Sequence, residues 1–125
     1  MMSGFSTEGL DHIAITVSDI DRSERWYGEV LGLERVQPQW DPPRILAAEG
    51  SGLALFPAEG TDGAPPAPSH FHHIAFRVDR ESFDAAREEL SGRGIELSFS
   101  DHGAAHSIYF VDPDGHRLEL TTYEV

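Results

Sequence analysis

The chain has 125 residues, with 9 basic against 22 acidic side chains, a formal charge of −13 with the histidines neutral. That length holds one compact domain or two very small ones, and 39% hydrophobic residues suffice for a core. Every basic residue is arginine and there is no cysteine, which excludes disulfides, iron–sulfur and zinc–thiolate sites, cysteine nucleophiles, Schiff-base chemistry and the lysine of a P-loop.

A charge of this sign argues against nucleic acid as a partner, because phosphate backbones need a basic surface. Residues 1–9 (MMSGFSTEG) lack a basic n-region and a long apolar run, so no signal peptide is expected. No apolar stretch approaches the ~20 residues of a membrane helix. The expectation is a cytoplasmic protein with no membrane partner.

In chain order, residues 10–17 alternate as a strand does, with Ile13, Ile15 and Val17 on one face and His12, Ala14 and Thr16 on the other. Ser18 or Asp19 can cap a helix whose apolar stripe is Ile20, Trp26, Tyr27, Val30 and Leu31, and Gly32 ends it. Residues 33–40, 44–49 and 52–56 read as strands, separated by Asp41-Pro42-Pro43 and by a Gly-Ser-Gly turn. Residues 58–69 (AEGTDGAPPAPS) have no periodicity and read as a flexible linker, long enough to be a spacer between modules.

The second half repeats the first. Residues 10–17, LDHIAITV, match residues 71–78, FHHIAFRV, in the pattern x-x-H-I-A-apolar-x-V. Asp79 caps a helix with Phe83, Ala86 and Leu90 on its inner face, and Gly92 and Gly94 stop it. Residues 95–100, 107–111 and 116–124 read as strands, and Asp112-Pro113-Asp114-Gly115 suits a type I turn. The organisation expected is one domain over residues 8–125. Module 1 is about 8–57, the linker 58–69 and module 2 about 70–125, each module running strand, helix, strand, strand, strand.

Register selects the residues able to do chemistry. If Ile13, Ile15 and Val17 pack on the helix, His12 faces away from it. By the same phase His73, Ala75 and Arg77 face away on the repeated strand. Leu118 and Leu120 pack on the last strand, leaving Arg117, Glu119, Thr121 and Tyr123 on the open face. A lone open-face histidine is more often an ordinary cleft residue than a ligand. Two matched histidines with an in-phase carboxylate, His12, His73 and Glu119, make a two-histidine, one-carboxylate set suited to Fe(II) or Mn(II) and compatible with Zn(II) or Ni(II). The first-half counterpart of Glu119 is Ala54, so a three-ligand site with open coordination positions is expected.

Around that set, Tyr109 shares the open face, where its phenol either serves acid–base chemistry or fills the interior. Trp40, Phe56 and Tyr123 are candidates to wall an apolar substrate pocket. Arg44 and Arg77 either attract an anionic substrate or pair with the abundant acids. His70 and His72 are expected at the exposed approach to a strand, His102 and His106 on a loop surface, and His116 in solvent.

Three segments, LDHIAITVSDIDRSERWYGEVLGL, FHHIAFRVD and SIYFVDPDGHRLEL, resemble the vicinal oxygen chelate superfamily: glyoxalase I, bleomycin-resistance proteins, fosfomycin-resistance thiol transferases and extradiol dioxygenases. The resemblance implies an α+β fold in which two βαβββ modules form a curved mixed sheet, a half-barrel, around a metal cleft. The matching metal positions are again His12, His73 and Glu119. Ala54 departs from the four-ligand glyoxalase I pattern. Tyr109 falls ten residues before Glu119, where extradiol dioxygenases and fosfomycin transferases place an active-site tyrosine. The transferases also use a lysine, absent here, and a threonine where this chain has Ala14. Extradiol dioxygenases match the ligand set but usually add an acid–base histidine, for which no position here aligns.

The function expected is therefore a metal-dependent enzyme acting on a small oxygen-chelating substrate, with an extradiol-type dioxygenase as the leading reading. The alternatives are a glyoxalase-like lyase or isomerase, or a metal-free binding protein of the bleomycin-resistance kind. Single-domain members often dimerise with modules exchanged, so a homodimer is expected.

Overall fold

The computed structural model describes residues 10–58 and 71–125, which fall into two compact units, one in each stretch. The expected linker, apart from Ala58, lies outside the described residues.

The first unit runs β1 (His12–Val17), α1 (Ile20–Leu31), β2 (Glu34–Val36), β3 (Arg44–Ala48) and β4 (Ser51–Pro57). Asp19 caps α1 by accepting a hydrogen bond from Arg22 N–H at 3.0 Å, and Gly32 closes it in the left-handed conformation at φ 70°. The strands form one mixed sheet in the order β1-β4-β3-β2, with β1 and β4 parallel. A parallel pair needs a crossover, and α1 with β2 and β3 provides it. Ile15, Val17, Tyr27, Leu46, Leu53 and Leu55 are all buried, and α1 contacts β3 and β4 over them.

The second unit repeats the plan with β5 (Ile74–Arg77), α2 (Arg80–Gly92), β6 (Ser98–Asp101), β7 (His106–Val111) and β8 (Arg117–Thr122). Its sheet order is β5-β8-β7-β6, with β5 and β8 parallel. Asp79 caps α2, and Phe83, Leu90, Ile108 and Leu118 are buried in its core. The chain thus has the expected α+β fold of two βαβββ units. Among the described residues no helix is long and apolar enough to cross a membrane.

Several local expectations shift. The strand expected from 95 begins at Ser98, and His106, expected on a loop surface, is the half-buried first residue of β7. The strand expected over 33–40 is only three residues, because Gln37 takes a positive φ of 52° and turns the chain out of the ladder. Gly92 is the last helical residue of α2 and does not stop it. The left-handed step falls at Gly94, φ 80°. His116 is buried, with Nδ1 2.6 Å from Asp112 Oδ2 and its ring stacked on Phe71.

The two registers confirm the internal repeat at the level of single residues. Glu119 pairs with Ala75 on β5 and Tyr109 on β7, while Ala54 pairs with Ala14 on β1 and Ile45 on β3. Ala54 therefore occupies the place of Glu119, and Ile45 that of Tyr109.

Candidate metal and acid–base site

β8 alternates leucine with polar residues. Leu118 and Leu120 go to the helix side and are buried, so Glu119 lies on the helix-free face. Glu119 as a whole is only 7% exposed. A buried carboxylate needs partners for both oxygens. Oε1 lies 2.8 Å from His73 Nε2, and Oε2 accepts a 2.5 Å hydrogen bond from Ser107 Oγ. Ser107 Oγ is in turn 3.1 Å from Thr121 Oγ1.

Tyr109 stands across the β7–β8 ladder from Glu119, its ring edge-on to His73 with centroids 5.8 Å apart. The Arg117 guanidinium lies 4.4 Å above the tyrosine ring. His102 Nε2 is 3.0 Å from Tyr109 Oη. A built turn aims that imidazole: His102 N–H donates to Ala105 C=O at 2.8 Å, and Asp101 accepts from Gly103 N–H at 2.9 Å. An open cavity of about 290 Å³ beside Tyr109 is lined also by Glu96, Ser98, Val111 and Arg117. His102 was expected on a loop surface. It is exposed, as expected, and its ring also reaches the Tyr109 hydroxyl. The seven-residue spacing to Tyr109 across a hairpin was the signal available.

In the first unit His12 opens β1, and its Nδ1 is 2.8 Å from Asp11 Oδ2. Gly52, opposite His12 in the ladder, donates its N–H to Asp11 C=O at 3.0 Å. A Cβ at Gly52 would sit 2.8 Å from Leu46 O, so glycine is needed for that approach. Trp40 lines a cavity of about 320 Å³ with Asp11, Val36, Ile45 and Gly52. Phe56 pairs with Thr16, on the same sheet face as His12.

The two candidate arginines part company. Arg77 pairs with Thr121 on the face that carries Glu119, and its guanidinium stacks 4.8 Å from the centre of the exposed Tyr123 ring. Arg44 pairs with Leu55, on the helix side, at the place where the second unit has Ile108. Its guanidinium is taken up by Asp21 at 2.6 Å, Glu24 at 3.0 Å and Asp41 at 3.0 Å. Hydrogen bonds to Asp41 and Asp21 raise the Arg44 pKa further, and Arg44 holds the Asp41 carboxyl below its ordinary value. For Arg44 these ion pairs favour the alternative reading, pairing with the acids.

Within neither unit do three or more His, Asp or Glu side chains cluster closely enough among the described residues to hold a metal. The second unit offers a pair, His73 and Glu119, and the first offers His12. The donor set still fits a divalent first-row ion. It is all nitrogen and oxygen, and the carboxylate is buried with an imidazole nitrogen at hydrogen-bond distance.

Two βαβββ units, each entered by an x-x-H-I-A strand, define the glyoxalase-like class. The chain belongs to the Glyoxalase/Bleomycin resistance protein/Dioxygenase superfamily, whose family model matches residues 9–120. It is 32% identical to glutathione transferase FosA of Serratia marcescens over 113 residues, 90% of this chain and 79% of that protein. It is 26% identical to catechol-2,3-dioxygenase of Bacillus subtilis over 89% of this chain and 40% of that protein. Among solved structures, oxidase ChaP-H2 superposes with a TM-score of 0.75 at 26% identity, covering 94% of each chain.

Proposed function

We propose that this chain is a metal-dependent enzyme acting on a small oxygen-chelating substrate, with His12, His73 and Glu119 as ligands in one domain over residues 8–125. Fe(II) or Mn(II) is the metal this donor set favours. The observation that carries the reading is Glu119, a buried carboxylate between two core leucines whose oxygen meets His73 Nε2 at 2.8 Å. A carboxylate confers little stability in such a place, so a ligand role explains it better than packing does. The metal, when bound, supplies Lewis-acid polarisation of substrate oxygens. The chain's own residues do the rest. Tyr109 holds a proton at Oη beside the substrate, His102 exchanges that proton with solvent, and Arg77 with Tyr123 draws an anionic group. Trp40 and Phe56 supply apolar contact in the first module. The homodimer with exchanged modules is part of the same proposal.

Within that class the finer reading is an extradiol-type dioxygenase, supported by the His102–Tyr109 pair and by the likeness to an oxidase and a catechol dioxygenase. A second reading, opening of fosfomycin by a thiol, is favoured by the 32% identity to glutathione transferase FosA. The absence of lysine and the presence of Ala14 weigh against it. Metal analysis of the purified protein beside Glu119→Ala tests the class, since equal metal in both, or none in either, removes it. Oxygen uptake with catechols, set against consumption of fosfomycin with glutathione, then decides between the two reactions.

A further inference from the structure

The two histidines that open the repeated strands share a feature the motif does not announce. Each has its Nδ1 engaged by the side chain of the residue immediately before it. His12 Nδ1 lies 2.8 Å from Asp11 Oδ2, and His73 Nδ1 lies 2.6 Å from His72 Nδ1. In a regular strand, neighbouring side chains point to opposite faces and could not meet in this way. Here the ladder begins at His12 in the first unit and at Ile74 in the second. Asp11 and His72 therefore lie outside it, and their side chains can swing round to the ring.

Asp11 is held for this task by its backbone, since its carbonyl accepts the Gly52 N–H at 3.0 Å. A carboxylate only accepts, so the His12 proton sits on Nδ1 and the Nε2 lone pair is left outward. In the second unit Nε2 is the nitrogen that meets Glu119, at 2.8 Å. For Nε2 to serve as a donor atom there, the ring proton must again sit on Nδ1, with His72 Nδ1 accepting it. As the pair stands, Glu119 only accepts, so His73 Nε2 carries the proton and Nδ1 accepts from His72. The His72 contact thus holds the ring against rotation in either form, while the Asp11 contact also fixes the tautomer.

We propose that Asp11 and His72 are paired positioning residues for metal binding, Asp11 fixing the tautomer and orientation of His12, and His72 holding the orientation of His73 and accepting its Nδ1 proton when Nε2 is a ligand. This rests on the metal reading above. The two halves of the repeat use different chemistry for one purpose: a carboxylate in the first, a neutral imidazole in the second. The carboxylate is the stronger acceptor and makes its histidine more basic. Replacing His72 by aspartate should therefore strengthen the second position.

The test is Mn(II) titration followed by the electron paramagnetic resonance signal of free Mn(II), which reads affinity without any substrate. Asp11→Ala and His72→Ala should each weaken binding by about 10- to 100-fold. His72→Asp should bind at least as tightly as the natural chain. Asp11 and His72 are exposed, and circular dichroism melts of the variants confirm that the fold is kept. If the natural chain binds Mn(II), Glu119→Ala does not, and both alanine variants bind like the natural chain, the positioning role is refuted while the metal reading stands. If the natural chain binds no Mn(II), both fall together.

Discussion

The His102 imidazole closes on the Tyr109 phenol, Nε2 to Oη at 3.0 Å, while the same tyrosine faces Glu119 across the β7–β8 ladder. One phenol thus joins an exposed imidazole to the strand position that carries the buried carboxylate. If this pair handles a proton, Tyr109→Phe should lower turnover by about 10²- to 10⁴-fold with metal content unchanged. His102→Gln should lower kcat less, because a side-chain amide can still hold the phenol in place. Steady-state kinetics on metal-replete protein decide. A Tyr109→Phe variant with undiminished kcat would reduce the tyrosine to a packing role.

Ser107 donates to Glu119 Oε2 at 2.5 Å, and neither residue is open to water. Removing the hydroxyl leaves a buried carboxylate oxygen without that partner, which costs about 1–3 kcal/mol. Ser107→Ala should lose stability by that amount in urea unfolding and should also bind Mn(II) more weakly. The serine has no counterpart in the first unit, where register puts Pro43 in its place, consistent with Ala54 there needing no partner. Glu119→Gln combined with Ser107→Ala should cost less than the two changes summed, because the hydroxyl is then taken from a neutral amide and not from a buried carboxylate.

Much of this was legible from alternation and the repeat. Once the leucines of β8 were assigned to the core, Glu119 had to face the other way, and the repeat placed Ala54 as its counterpart. The register bears out both placements. Several residues escaped, each beside a turn where period-two phase is lost, His106 at the start of β7 among them. Arg44 is the first residue of β3, directly after Pro42-Pro43, so nothing upstream fixed its phase. His116 precedes β8 by one residue, and Asp112 draws it inward by accepting its backbone N–H at 2.8 Å as well as its ring. His102 sits in the β6–β7 hairpin, where reach depends on the turn, here Gly103 at φ 82°. Side chains at strand ends are set by local hydrogen bonds, which composition does not reveal.

Arg44 ties α1 to the start of β3 through Asp21, Glu24 and Asp41. Without it three carboxylates face one another in a chain of charge −13. Arg44→Gln should lose about 1 kcal/mol at low salt, and less in molar salt where the repulsion is screened. Its kcat/KM should match that of the natural chain, whereas Arg77→Gln should raise KM for an anionic substrate. A rise in KM for Arg44→Gln with stability intact would return Arg44 to the substrate contacts.

His116 supplies a pH dependence whose sign can be worked out. The hydrogen bond to Asp112 raises its pKa, burial opposes this, and the charges of Asp112 and Asp114 add to the rise. The folded chain therefore holds the His116 proton more tightly than the unfolded chain, whose histidine titrates near an ordinary value of about 6.5. The stabilisation is fully present below that value and is lost as pH rises through the higher folded pKa. His116→Gln removes the titration but keeps a donor toward Asp112. Urea unfolding of both proteins from about pH 5.5 to about pH 9 should show the natural chain's advantage shrinking as pH rises. An advantage that grows with pH would mean that His116 is buried as the neutral ring, with Asp112 serving the backbone of the turn alone.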